Sequence, residues 1–132
     1  MISVRAQLKT LRMSPKKVRL VIDMVRGMNA LLAEQKLSFL PKRAGEPVLK
    51  LLRSAMANAV KNNNLKKESL RITEVMVNEG PVTKRFRPRA HGRAFPIKKR
   101  SSHIMLTVSG ETDVAEKPVK KENVVDTKET AK

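Results

Sequence analysis

The residues of this chain whose types and spacing could do chemistry lie between Gly80 and Arg100, GPVTKRFRPRAHGRAFPIKKR. Eight cations (Lys84, Arg85, Arg87, Arg89, Arg93, Lys98, Lys99 and Arg100) stand there with one histidine, His91, and no acid. Such a set binds anions rather than making or breaking bonds. A guanidinium grips a phosphate through two parallel hydrogen bonds, and an ammonium holds it as a point charge. Catalysis needs other groupings. Neither His91 nor His103 has Asp or Glu at a metal-ligand spacing, and the chain has no Cys, so no metal centre, thiol nucleophile or disulfide is expected. No glycine loop followed by Lys-Ser/Thr is present to cradle a nucleotide. A basic hydrolytic enzyme such as a nuclease would require a clustered acid pair or histidine pair, and none is seen. The expectation is a protein that is not an enzyme and carries no catalytic residue and no cofactor.

The rest of the chain shares this bias. Its 132 residues hold 29 Lys and Arg against 12 Asp and Glu, a net charge of +17. Self-repulsion of that size disfavours a compact state in isolation, so a polyanionic partner is expected, nucleic acid before anionic membrane. With three Phe, no Tyr and no Trp, the chain lacks the aromatic platforms on which single-strand readers stack bases. Shape and phosphate contacts to structured RNA remain. A DNA-compacting architectural protein is the alternative; a groove-reading DNA binder usually adds polar base-reading side chains and a dimer interface, and neither is evident. The start, MISVRAQLKT, alternates apolar and polar residues without the apolar core of a signal peptide, and no run approaches a membrane span. A cytoplasmic location is expected.

The elements that must position the basic segment follow from periodicity. Ile2, Val4, Ala6 and Leu8 share one parity and Ser3, Arg5, Gln7 and Lys9 the other, which predicts a strand with a basic outer face. Ser14 as N-cap, Pro15 at the first helical position and Gly27 beyond the end predict a helix of about twelve residues. Val18, Val21, Ile22 and Val25 would form its buried stripe, with Lys16, Arg19, Asp23 and Arg26 opposite. Lys16 and Lys17 oppose the helix dipole, a local misfit that a phosphate would relieve. A shorter helix is predicted over residues 29–40, with Leu31, Leu32 and Leu37 apolar, and a longer one over residues 47–63. On the latter, Val48, Leu51, Leu52, Ala55, Met56 and Ala59 form the buried face, and Asn62, Asn63 and Asn64 suit the exit. Residues 69–79 read as a strand of broken parity: Leu70 and Ile72 fall on one phase, Val75 and Val77 on the other. A bulge or burial on both faces would explain it. Ile104, Leu106 and Val108 share one face of a last strand. The core must be aliphatic, and Met13, Met24, Met28, Met56, Met76 and Met105 read as core filling.

Because the basic segment lies between two strands, it must run out and return, with its tip near residues 88–92. Ten residues per arm give a projection on the order of 30 Å. A free ribbon of this kind is marginal in water, so it is expected to be ordered by RNA. His103 reads as a structural hydrogen-bonding residue. Beyond Gly110 the sequence holds six acids and five Lys with no periodicity, and residues 111–132 are expected to be a disordered charged tail. Residues 1–110 then carry 24 cations against six acids.

These residues resemble a known family. Ser14-Pro15-Lys16-Lys17-Val18-Arg19-Leu20-Val21 with Asp23 and Arg26-Gly27, then Ser54-Ala55 with Ala57-Asn58-Ala59, stand as in large-subunit ribosomal protein 22 of the bacterial type. The likeness continues through Glu79-Gly80-Pro81, Lys84-Arg85, Pro88-Arg89-Ala90, Gly92-Arg93-Ala94, Lys99-Arg100 and Ser102-His103-Ile104. The resemblance implies an α+β fold: a small three-stranded antiparallel sheet packed with three helices, plus a long protruding basic β-hairpin at about residues 80–100. The rRNA-binding domain would be residues 1–110. The resemblance further implies a structural protein of the large subunit that binds several domains of its rRNA, assists early assembly, and lines the nascent-polypeptide exit tunnel with its hairpin. Its partners would be that rRNA, neighbouring large-subunit proteins and the nascent chain. Carried onto this chain, the rRNA-gripping set is Lys16, Lys17, Arg19, Arg26, Lys84, Arg85, Arg87, Arg89, Arg93, Lys98, Lys99 and Arg100. The tunnel-side tip is Arg87, Pro88, Arg89, Ala90, His91, Gly92 and Arg93. Pro96 lacks a ladder donor, which leaves the hairpin register near Phe95-Pro96 open.

Overall fold

The structure, a computed structural model, describes residues 2–112; the expected tail beyond them lies outside the described residues. The chain runs β1 (Ile2–Leu11), α1 (Pro15–Ile22), α2 (Ala30–Ser38), α3 (Gly45–Asn63), β2 (Arg71–Glu79), β3 (Thr83–Pro88), β4 (Ala94–Lys99) and β5 (Ser102–Gly110). It is an α+β fold. One antiparallel sheet has the order β1-β5-β2, and β3 pairs only with β4.

β5 is the middle strand, and its sequence suits that place. Ile104, Leu106 and Val108 alternate inward and are completely buried. β1 pairs with it from Ile2 opposite Gly110 to Leu8 opposite Ile104, so the parity of the first strand carries its apolar side onto the helices. The register then slips before Leu11, where Thr10 takes a left-handed φ of 55°. The broken parity of β2 is a bulge: Ile72 faces Val108 and Glu74 faces Thr107, leaving Thr73 as the extra residue. One added residue shifts the phase by one. Leu70, Ile72, Val75 and Val77 are therefore all buried on the same side of the chain's path.

α3 packs across β1 and β5. Its six expected inward positions, Val48, Leu51, Leu52, Ala55, Met56 and Ala59, are all buried, and the two alanines let the helix approach the sheet closely. Asn64 ends it in the left-handed conformation, which asparagine tolerates better than most residues. The helix begins at Gly45, two residues before Pro47, and Glu46 in its first turn meets Lys50 at 2.7 Å. The hydrogen bond and charge of Lys50 hold the Glu46 carboxyl below the usual carboxylate range.

Four expectations are corrected. α1 is eight residues long, not about twelve. The apolar stripe does extend to Val25, but the Val25 N–H donates to Ile22 O in a tight turn, and Gly27 completes the exit with φ 73°; a 3.6-residue period cannot distinguish that turn from helix. Ser14 occupies the N-cap of α1, yet its side chain makes no capping bond. In α2 the buried face is Ala30, Ala33 and Leu37, with Leu32 exposed; Asn29 caps it by accepting from Leu31 N at 2.9 Å. Finally, Met24 and Met76 are exposed rather than core filling. The core is aliphatic throughout, and all three phenylalanines lie outside it.

Where β2 gives way to the basic segment the chain is pinned. The Gly80 N–H donates to Ser101 O at 2.9 Å, and the Ser101 hydroxyl donates to Pro81 O at 2.6 Å. A Cβ at Gly80 would stand 2.6 Å from that hydroxyl oxygen and 3.2 Å from the Ser101 carbonyl carbon. The hydroxyl cannot retreat without losing its bond. Gly80→Ala should therefore lower stability by about 1–3 kcal/mol, read as a lower denaturant midpoint at unchanged slope.

Candidate nucleic-acid interface

β3 and β4 pair antiparallel without a break, from Thr83 opposite Lys99 to Pro88 opposite Ala94. The Arg89 N–H donates to Arg93 O at 2.7 Å, which makes residues 89 and 93 a hydrogen-bonded pair. Alternation along an antiparallel ladder then places Phe86–Pro96 and Pro88–Ala94 at non-hydrogen-bonded positions. Both prolines thus sit where no ladder N–H is needed, and the register that Pro96 left open is resolved. The turn at the tip uses left-handed residues: His91 has φ 58° and Gly92 φ 65°. Gly92 supplies this at no steric cost.

This pairing fixes which charges meet. Lys84 lies directly opposite Lys98, and like charges facing each other across a pair are destabilising. The neighbouring pairs, Arg85 with Ile97 and Arg87 with Phe95, bring no acid to offset them. Every residue from Pro81 to Arg100 is exposed except Ile97, which is half-buried. Phe86 and Phe95 are 72% and 63% exposed. In the segment's own sequence and in its ion pairs there is nothing to neutralise it: the ion pairs among the described residues are Arg26 with Asp23, Lys50 with Glu46 and Arg53 with Glu34.

The structure separates the expected binding residues into three places. Arg85, Arg87, Arg89 and Arg93 lie along the ribbon and at its tip, with Pro88, Ala90, His91 and Gly92, and Lys84 lies nearer its base. Lys17, Lys98, Lys99 and Arg100 come together at the ribbon's base, where they line a cleft of about 620 Å³ with Arg12, Met13, Ser14 and Arg43. Arg12 and Arg43 were missed by sequence reasoning. Arg12 is a lone cation in the β1–α1 connector and Arg43 follows Lys42 in the α2–α3 connector, and no spacing relates residue 12 or 43 to residues 98–100.

The remaining three lie on or just after α1. Lys16 is exposed in its first turn. Arg19 donates to Val77 O at 3.2 Å, so part of its guanidinium ties α1 to β2 and the rest faces outward. Arg26 meets Asp23 at 3.3 Å, both well exposed; such a pair contributes little to stability and leaves Arg26 available to an anion. His103 is structural: its Nδ1 accepts from the Thr10 N–H at 2.9 Å across the β1–β5 slip. This bond requires the neutral ring with its proton on Nε2.

Among the described residues, no three His, Cys, Asp or Glu side chains gather where they could hold a metal. No helix there is long and apolar enough to cross a membrane.

Comparison with known proteins bears out the resemblance. The model of the family described as ribosomal protein L22p/L17e matches residues 6–109. The large ribosomal subunit protein uL22 of Mycoplasma mycoides subsp. mycoides SC is 52% identical over 107 residues, covering 81% of this chain and 96% of that protein. Its counterpart from Clostridium novyi (strain NT) is 53% identical over 104 residues, 79% of this chain and 94% of that protein. That from Lactobacillus delbrueckii subsp. bulgaricus is 50% identical over 107 residues, 81% and 92%. The match spans the sheet, the helices and the whole basic ribbon, and the chain belongs to the ribosomal protein L22p/L17e family.

Proposed function

We propose that this chain is a structural constituent of the large ribosomal subunit in the cytoplasmic ribosome, that it binds large-subunit rRNA and assists early subunit assembly, and that its ribbon lines the nascent-polypeptide exit tunnel. Membership of the family supports the ribosomal role. The observation that carries rRNA binding is the ribbon itself: eight cations without an acid, Lys84 facing Lys98, and almost no buried side chain. In water this arrangement repels itself. Against a phosphate backbone every one of those charges becomes a contact, and the released counterions drive association.

Twelve residues would grip the rRNA: Lys16, Lys17, Arg19 and Arg26 around α1, Lys84, Arg85, Arg87, Arg89 and Arg93 along the ribbon, and Lys98, Lys99 and Arg100 at its base. The tip, Arg87 to Arg93, would face the tunnel and the nascent polypeptide. Six paired residues at about 3.3 Å each give the ribbon about 20 Å, and the unpaired residues at both ends extend its reach. The domain would remain at the subunit surface beside neighbouring large-subunit proteins.

The experiment is rRNA binding by the full chain as salt is varied. Lys16→Glu with Arg19→Glu should weaken binding while circular dichroism still shows a folded chain, destabilised by about 1 kcal/mol through loss of the Arg19–Val77 bond, and the slope of log K against log salt should flatten by about 0.7–0.9 for each phosphate no longer neutralised. Unchanged affinity at moderate salt would make that side of α1 an ordinary solvated surface.

A further inference from the structure

At the end of the sheet away from the ribbon, the chain leaves the fold beside a groove that no described residue covers. The Lys66 N–H donates to Glu111 O at 3.1 Å, and Leu65 and Thr112 form an antiparallel bridge. An antiparallel continuation carries the next residues toward Asn64 and the end of α3. Along that part of α3, beside α2, runs a groove of about 290 Å³. Ala57 and Val60 give it an apolar surface, Lys61 and Lys67 stand on it, and Arg53 and Glu34 lie farthest from Leu65. Val60 is left 38% exposed. Arg53 is held by Glu34 at 2.7 Å, whereas Lys61 and Lys67 form no ion pair among the described residues.

The residues that follow suit this groove in charge, polarity and length. Glu111 to Glu116, ETDVAE, holds three acids and no cation, and the first Lys of the tail is Lys117. Half of the tail's acids therefore stand where it leaves the fold, ahead of all its cations. Helix rise of about 1.5 Å per residue makes the groove from Arg53 to Lys61 about 12 Å long. Four extended residues, Asp113 to Glu116, cover about 13 Å.

We propose that Asp113–Glu116 docks in the groove between α2 and α3, with Val114 over Ala57 and Val60 and the carboxylates of Asp113 and Glu116 against Lys61 and Lys67. The tether makes a weak contact sufficient. At an effective concentration on the order of millimolar, a contact of about 0.1 mM affinity is formed about ten to one. Docking removes Val60 from water and neutralises two cations of the domain without any partner molecule. It is independent of the ribbon, since the ribbon joins β5 at Ser102 and the tail leaves it at Gly110. The expectation of a disordered tail is then confined to residues beyond Glu116.

The test is amide hydrogen exchange of the full chain, free of RNA, read by nuclear magnetic resonance. Exchange at Val114, Ala115 and Glu116 should be about tenfold slower than the intrinsic rates for their sequence. Asp113→Lys with Glu116→Lys, both beyond the last strand, should abolish that protection and shift the methyl signals of Val60. Adding Lys61→Glu with Lys67→Glu to the same chain should restore both. Val114→Asp, a change in the tail alone, should also abolish protection, and this keeps the test open if the fourfold variant does not fold. Intrinsic exchange rates in the unmodified chain would overturn the proposal. So would a folded fourfold variant that recovers nothing, or protection that survives Val114→Asp. Protection that rises with protein concentration would give the groove to a second copy of the chain and overturn it as well.

Discussion

A chain from which residues 86–95 are removed, with Arg85 joined to Pro96 through a short turn, should fold, enter the large subunit, and lose its crosslinks to nascent polypeptide. The expectation follows from where the pairing energy lies. β2 and β5 are held together by their own register, down to Asn78 opposite His103 and Glu79 opposite Ser102, and by buried residues on both strands. The removed residues carry only exposed side chains, so their loss should change the stability of the free domain by no more than about 0.5 kcal/mol. Binding should survive because Arg12, Lys16, Lys17 and Arg43 remain on the domain. Crosslinking from stalled nascent chains in purified ribosomes reads the outcome. Persistent crosslinks would remove the ribbon from the tunnel wall; complete exclusion of the shortened chain from large subunits would make the ribbon the primary anchor.

The largest effect on stability is expected at Leu106. It is completely buried in the middle strand, opposite Ala6 on β1 and Val75 on β2, so the surroundings are braced from both sides and cannot collapse into a void. Leu106→Ala should cost about 2–5 kcal/mol, a large part of the about 5–15 kcal/mol that holds an ordinary domain together. Thermal unfolding should fall by roughly 10 °C or more, and large-subunit rRNA should raise it again, since a ligand of the folded state stabilises by mass action. A fall of only one or two degrees would mean that the sheet repacks around the missing side chain.

The sequence made the inward faces legible wherever one period ran uninterrupted. β5 and α3 were read residue for residue because Ile104, Leu106 and Val108 alternate cleanly and Val48 to Ala59 keep helical spacing. β2 was read as irregular but not resolved: the bulge at Thr73 is one residue set against β5, and the choice between a bulge and two-sided burial depends on a partner strand that periodicity does not show. Met24 and Met76 were misplaced because an apolar type was taken as an inward position. Met76 alternates outward between the buried Val75 and Val77, and Met24 stands outside between the exposed Asp23 and the buried Val25. The basic segment was legible as a whole, since eight cations without an acid need no partner to be noticed. The cleft was not. Arg12 and Arg43 join Lys98, Lys99 and Arg100 only when three connectors meet in space, and no local pattern records that meeting. The register across Pro96 was equally invisible until the hydrogen-bonded pair at Arg89 and Arg93 set the alternation.

This basic chain is expected to work as a protein of the large ribosomal subunit, bound to its rRNA. Sucrose-gradient fractionation of a cell lysate, with the chain quantified by mass spectrometry in each fraction, tests it most directly. The chain should cosediment with the large subunit and with intact ribosomes in a one-to-one ratio to other large-subunit proteins. It should move to the top of the gradient only when ribonuclease or high salt breaks the rRNA contacts. A chain found chiefly with bulk chromosomal DNA, or one that sediments free of large subunits while their other proteins remain, would not be a ribosomal protein bound to rRNA.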